Sequence, residues 1–140
     1  MKKLAIGMMV VCSLMALSGA AWCGDGTVKL GTLVVLEDAG CMGFMDWDAA
    51  MARPNGLGHG QCGLKDRSMP GDWRLPTIEE LRSIYSAKSQ FKNVQPLAYW
   101  SSTTWERRNT LAWMMDMENG YVGKDLKHFR REVWPVRTGQ

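Results

Sequence analysis

"GDWRLPTIEEL", residues Gly71–Leu81, runs from a loop straight into a helix. Thr77-Ile78-Glu79-Glu80 has the spacing of a capping box: the Thr77 hydroxyl can accept from the Glu80 amide, and the Glu80 carboxylate can accept from the Thr77 amide. Pro76, just outside, fixes the approach of the chain, and Glu79 and Glu80 suit the positive end of a helix dipole. Beyond the cap, Ile78, Leu81, Ile84 and Tyr85 fall on one helical face, the one expected to be buried.

Upstream, "TVKLGTLVVLED" (Thr27–Asp38) is β-branched and apolar, and reads as one strand or a pair bent at Gly31. "MDWDAAMA" (Met45–Ala52) reads as a short helix capped by Asp46 and stopped by Pro54 and Gly56. Asn55–Gly71 is a glycine-rich loop. Downstream the pattern changes to strands. Ala98–Trp105 alternates aromatic and hydroxyl residues, and Leu111–Met117 places Leu111, Trp113, Met115 and Met117 on one side. Glu118-Asn119-Gly120 forms a turn into "YVGKDLK", and "EVWPVR" (Glu132–Arg137) closes the chain as a further strand, with Pro135 at an edge or bulge. Two short helices followed by an antiparallel sheet make an α+β layout.

The first residues stand apart. Lys2 and Lys3 precede an apolar run, Leu4–Leu17, and then the small residues Ser18 to Ala21. That is the pattern of a secretory signal peptide over residues 1–23, with a single domain over 24–140. Three cuts fit: after Ala21, after Cys23, or before Cys23 as in a lipoprotein, which normally has a small residue where Trp22 stands. Cutting after Cys23 removes Lys2 and Lys3 and no acid, which leaves 15 basic against 14 acidic residues. A balance so close to neutral gives no argument for a nucleic-acid partner. The mature chain is expected to carry no membrane span and to reside in the periplasm or outside the cell, the cell surface included. In such an oxidising compartment Cys41 and Cys62 form a disulfide by default, which closes a loop of about 20 residues.

Four segments, "CGLKDRSMPGDWRLPTIEEL", "YWSSTTW", "AWMMDMENGYV" and "VWPVR", resemble in order and spacing the Lcl C-terminal domain, a bacterial family of unknown function. "DAGCMGFMDWDAAM" is similar to its short exported members, so the resemblance spans roughly Gly40–Arg137. It implies a compact fold similar to C-type lectin-like and formylglycine-generating-enzyme-like domains. The best-known member follows collagen repeats in an adhesin and is linked to sulfated polysaccharides; this chain has no such repeats. Within that fold Trp73 and Leu75 are expected to anchor the core, and Arg74 to bond loop carbonyls. Trp73, Arg74, Leu75, Pro76, Thr77 and Glu80 then form a structural motif. The last strand departs from the family's frequent Val-Arg-Pro-Val-Arg, since Trp134 stands where the first Arg would be.

Catalytic constellations find little support. Formylglycine-generating enzymes use a late cysteine pair, and this chain has no Cys after Cys62. His59 lies in a glycine-rich loop, and no G-x-S-x-G motif provides a nucleophile. His59 and Cys62 lack the second pair that a zinc site needs. Asp116, Glu118 and Asp125 do not alternate as calcium ligands do, and Arg53-Pro54-Asn55 is not a calcium-lectin signature. Gly56–Gly63 does not follow a strand as a phosphate loop does. No cofactor and no metal are expected.

One cluster invites a ligand. Lys124, Lys127, His128, Arg130 and Arg131 accompany Phe129 in "GKDLKHFRR", and Arg107 and Arg108 lie in the loop before the preceding strand. A basic patch with an aromatic ring suits a sulfated or phosphorylated polymer. The expected function is a non-enzymatic exported module that recognises anionic glycans. The alternative is an envelope structural or assembly protein, since 11 Met and 7 Trp could present an adaptable docking surface to another envelope protein.

Overall fold

The computed structural model describes residues 24–139. The leader read over residues 1–23 therefore lies outside the described residues, as does any fate of Cys23.

Strands β1 (Thr27–Leu30) and β2 (Leu33–Leu36) form an antiparallel hairpin around Gly31 and Thr32. Gly31 takes a φ of +63°, which a β-carbon would disfavour. The bent pair expected from the sequence is thus a full reversal. Short β3 (Phe44–Met45) leads into helix α1 (Trp47–Ala52), with the Asp46 carboxylate accepting from the Ala49 amide at 2.9 Å. Met45 belongs to the strand rather than the helix. Pro54 does not end the turn but continues it as a 3-10 segment, Arg53–Gly56, where its missing N–H costs nothing. Helix α2 (Ile78–Ser86) carries the complete capping box, and Ile78, Leu81 and Ile84 are buried, with Tyr85 half-buried.

Strands β4 (Ala98–Thr104), β5 (Leu111–Asp116) and β6 (Val122–Leu126) make an antiparallel meander. Of the β5 segment, Ala112, Met115 and Met117 are buried, whereas Leu111 and Trp113 are only half-covered. A register shift between Trp100 and Thr104 interrupts the β4–β5 ladder. There the Ser101 hydroxyl donates to the Trp113 carbonyl at 2.6 Å and accepts from the Thr103 amide.

The predicted final strand is two strands, β7 (Arg131–Glu132) and β8 (Val136–Thr138). β7 joins a five-stranded sheet of order β3-β7-β4-β5-β6, where its pairing with β4 is parallel, and β8 joins the hairpin in a sheet of order β1-β2-β8. The physical reason lies in Val133-Trp134-Pro135 between them. Pro135 has no N–H for a ladder, and its carbonyl accepts instead from the Leu36 amide. Trp134 turns inward, so the chain crosses from one sheet to the other. Its indole N–H donates to the Leu36 carbonyl at 2.8 Å, and its ring meets Phe91 edge-on at 4.9 Å and Tyr99 at 5.1 Å. Trp134 is therefore part of the core.

Trp73, Trp100 and Trp134 are the largest fully buried side chains. Each indole N–H is satisfied: Trp73 by the Ser68 hydroxyl, Trp100 by the Met45 carbonyl, Trp134 by Leu36. Among the described methionines, Met42, Met45, Met115 and Met117 are also buried, Met114 is half-buried, and Met51 and Met69 are exposed. These buried methionines and tryptophans build core. Cys41 and Cys62 form the expected disulfide, with Cα atoms 5.7 Å apart. No helix among the described residues is long and apolar enough to cross a membrane.

Candidate functional site

In the motif before α2 the expected anchors are buried and Arg74 takes a different partner from the one expected. Trp73 and Leu75 are buried. The Arg74 fork, however, grips the Glu80 carboxylate with both terminal nitrogens, at 2.6 and 2.9 Å; the Leu75 carbonyl is a distant third at 3.5 Å. A planar guanidinium matches a carboxylate better than a single carbonyl. Glu80 thereby closes the capping box and holds Arg74 together. The Arg74 side chain is the main reason its carboxyl lies below the ordinary glutamate range, with the Thr77 amide and hydroxyl adding to it against the opposing effect of burial.

The predicted basic cluster lies on β6, β7 and the turn between them. Lys124 places its ammonium 4.2 Å from the Trp105 ring centre and 5.1 Å from Trp113. Lys127 sits 3.8 Å over the Trp47 ring and donates to the Thr104 hydroxyl at 2.9 Å. Arg130 lies 4.7 Å from the Phe44 ring and donates to the Phe44 carbonyl. Arg131 is held by Asp125, its Nε donating at 2.8 Å. The His128 and Phe129 rings meet edge-on at 4.7 Å, and both residues are exposed. Arg107 and Arg108 are exposed in the β4–β5 loop, whose backbone closes through the Arg108 amide on the Trp105 carbonyl.

These cations do not form one patch. In the β5–β6 ladder Lys124 opposes Trp113 and Asp125 opposes Ala112. Successive strand residues point to opposite faces, so Lys124 lies on one face of the sheet. Asp125 and its partner Arg131 lie on the other. Lys127 joins that second face, because its partner Thr104 opposes Ala112. Arg130 joins it beside Phe44 and Met114, in a shallow groove of about 470 Å3. Leu97 and Glu132 also line this groove, and burial raises the Glu132 carboxyl above the ordinary range.

A second polar assembly escaped the sequence reading. The Asp66 carboxylate accepts from the Ser68 amide and hydroxyl and from Arg137, and the Ser68 hydroxyl in turn accepts from Trp73. Burial raises the Asp66 carboxyl, but these donors, Ser68 first, more than offset it and leave the group lowered. No local pattern links Asp66 to Arg137. His59 is likewise committed, its Nδ1 accepting from the Arg67 amide, and Cys62 is spent in the disulfide.

The family model for the Lcl C-terminal domain matches residues 18–137. The chain belongs to this family. The match covers most of the chain and starts at Ser18. It includes the capped helix, both sheets and the basic segment of this Lcl C-terminal domain. No curated protein matches the chain.

Proposed function

We propose that this Lcl C-terminal domain is an exported, non-enzymatic binding module that recognises anionic polysaccharide through the segment from Lys124 to Arg131. One observation carries the reading. Lys124, Lys127 and Arg130 each rest against an aromatic ring, and among the described residues no carboxylate lies within ion-pair distance of them. Rings hold the cations in place without neutralising them, so charge remains for sulfate or carboxylate groups of a polymer. The ring faces add apolar contact for sugar carbons. β6 is an edge strand with Lys124 on one face and Arg130 on the other, so a flexible polymer would meet both by passing over the edge. The disulfide supports export, because such bonds persist in oxidising compartments.

Retention on immobilised heparin in a salt gradient tests this. The comparison is a variant carrying Lys124→Gln, Arg130→Gln and Arg107→Gln, which spares the bonded Lys127 and Arg131. The wild type should elute above physiological salt and the variant well before it. Equal elution of the two would sink the reading. The competing reading is an envelope assembly protein that docks a partner protein. The exposed Phe44 and Leu97 beside the half-buried Met114 favour it. Binding of that kind would persist at high salt, because apolar contact is not screened.

A further inference from the structure

The Cys41–Cys62 disulfide is unevenly covered. Cys41 is exposed, whereas Cys62 is half-buried and packs against the hydrophobic core. Both line a hollow of about 660 Å3, which also takes in Glu37, Asp38, Lys65 and Lys92. One half of the bond thus faces solvent and the other faces the core. The charge in this hollow favours a thiolate. Its two carboxylates are engaged: Glu37 with Lys92 at 3.4 Å, and Asp38 with the Gly40 amide at 3.0 Å and the Asn93 side-chain amide at 2.8 Å. Lys65 is exposed and has no described carboxylate within ion-pair distance. A nearby ammonium favours both an arriving and a departing thiolate.

The bond also holds Cys62 in a backbone conformation that resists it. Its φ is +50°, in the left-handed region where a β-carbon is unfavourable. Such strain persists only where the surrounding structure imposes it. Few bonds other than the disulfide do so here. The amides of Gly60, Gln61 and Leu64 donate to Leu64, Gly58 and Gln61, all within the same turn. The Gly58 amide donates to the Gln61 side chain, again within the turn. The disulfide is what ties this turn to the chain at Cys41. Opening it relaxes Cys62 and loosens the turn from Gly58 to Gly63, while the Asp66–Arg137 pair keeps the rest of the loop in place.

We propose that Cys41–Cys62 is an exchangeable disulfide, that Cys41 is a site of reversible S-thiolation by a small soluble thiol, and that thiolation loosens the Gly58–Gly63 turn. The thiolate of the small thiol attacks Cys41 Sγ. A new S–S bond forms between the two, the Cys41–Cys62 bond breaks, and the electron pair leaves on Cys62 Sγ. The Cys62 thiolate takes up the proton that the small thiol released. One S–S bond replaces another, so no oxidant or reductant is consumed. Attack by Cys62 on Cys41 expels the small thiol and restores the original bond. The uneven covering sets the direction, because attack at Cys62 has to come through its core-packed side. The hollow has the size of a small-molecule site and admits the thiol. None of its residues belongs to the Lys124–Arg131 segment.

Incubation of the exported protein with reduced glutathione in the absence of denaturant tests this. Exchange is stopped with excess N-ethylmaleimide in guanidinium, and peptide mapping by mass spectrometry assigns each label to its cysteine. Glutathione should appear on Cys41 and the alkyl group on Cys62. The rate should be first order in glutathione and rise roughly tenfold for each pH unit below the thiol's own pKa, as its thiolate fraction does. Gly120→Ala, in the β5–β6 turn, separates direct attack from attack on a globally unfolded chain. Direct attack leaves its rate within about twofold of the wild type, whereas exchange through unfolding speeds up as stability is lost. Trypsin should cut the thiolated protein after Lys65 roughly tenfold faster than the untreated protein, because local opening exposes the turn. The proposal is overturned if no adduct forms until denaturant is added, or if Cys62 carries glutathione as often as Cys41. It is equally overturned if Gly120→Ala exchanges faster in proportion to its lost stability, or if thiolation leaves cleavage after Lys65 unchanged.

Discussion

Arg137 Nη2 donates to Asp66 Oδ2 across 3.1 Å, although 71 residues separate them in the chain. The Asp66 side chain is only 1% exposed. Through it the last strand is tied to the glycine-rich loop, and through Ser68 to the buried indole of Trp73. The Arg137 guanidinium also lies 5.4 Å from the Trp73 ring. A loop of this composition would otherwise have many conformations. Two cross-links, this network and the Cys41–Cys62 disulfide, hold it against the core.

Asp66→Asn tests the network with almost no change of shape. It leaves a partly buried guanidinium without its counter-charge and turns one acceptor oxygen into a donor. Removing one partner of such a pair costs about 2–4 kcal/mol. Urea denaturation followed by tryptophan fluorescence should show the loss as a lower midpoint with unchanged slope. A midpoint within experimental scatter of the wild type would mean that the pair contributes nothing net.

Acid should act through two carboxylates. Asp66 and Glu80 both titrate below their ordinary ranges in the folded chain. The unfolded chain therefore binds protons first as pH falls. Their stabilisation is complete above the ordinary carboxylate range, about pH 4, and is lost as pH drops through the lowered folded values. Glu132 has the opposite sign: burial raises its carboxyl, so its neutral form suits the fold and its ionisation costs stability as pH rises through that raised value. Melting temperatures from neutral to strongly acidic pH should thus fall less steeply for Glu80→Gln than for the wild type. Glu132→Gln should melt higher than the wild type at neutral pH and match it in acid. Parallel curves for all three proteins would refute the assignment.

Gly120 is the glycine of the predicted turn, and the fold demands it twice. Its φ is +78°, and a β-carbon there would lie 2.8 Å from Cε1 of Tyr85. Gly120→Ala should therefore cost about 1–3 kcal/mol, from backbone conformation and overpacking together. Combining it with Tyr85→Ala should recover the packing part and not the backbone part. Additive losses in the double variant would show that the Tyr85 ring moves aside freely.

The capped helix could be read directly, because every group that closes it lies within four residues. The Asp46 cap and the disulfide were legible for similar reasons, a local donor and acceptor and an even cysteine pair, whereas at Gly31 the sequence marked a break and not the full reversal into a hairpin. Arg74 was placed correctly but given the wrong partner. It precedes the helix, so no i,i+4 rule points to Glu80, and only the turn at Pro76 brings the two together. The basic segment was legible as composition alone. Its division across two sheet faces depends on the register of β5 against β6, which the sequence of β6 does not contain.

By itself the amino-acid sequence determined the local elements of this domain, its α+β class and the family to which it belongs, because caps, turns and strand patterns are written in neighbouring residues. The tertiary structure alone decided which charges remain open. It splits the last strand at Trp134 so that β7 and β8 enter different sheets, buries Asp66 against Arg137, and leaves Lys124, Arg130, Lys29 and Arg67 with no described carboxylate within ion-pair distance. The reason is physical: whether a charge is available depends on which distant partner packing brings within a few ångströms, and no short stretch of chain encodes that distance.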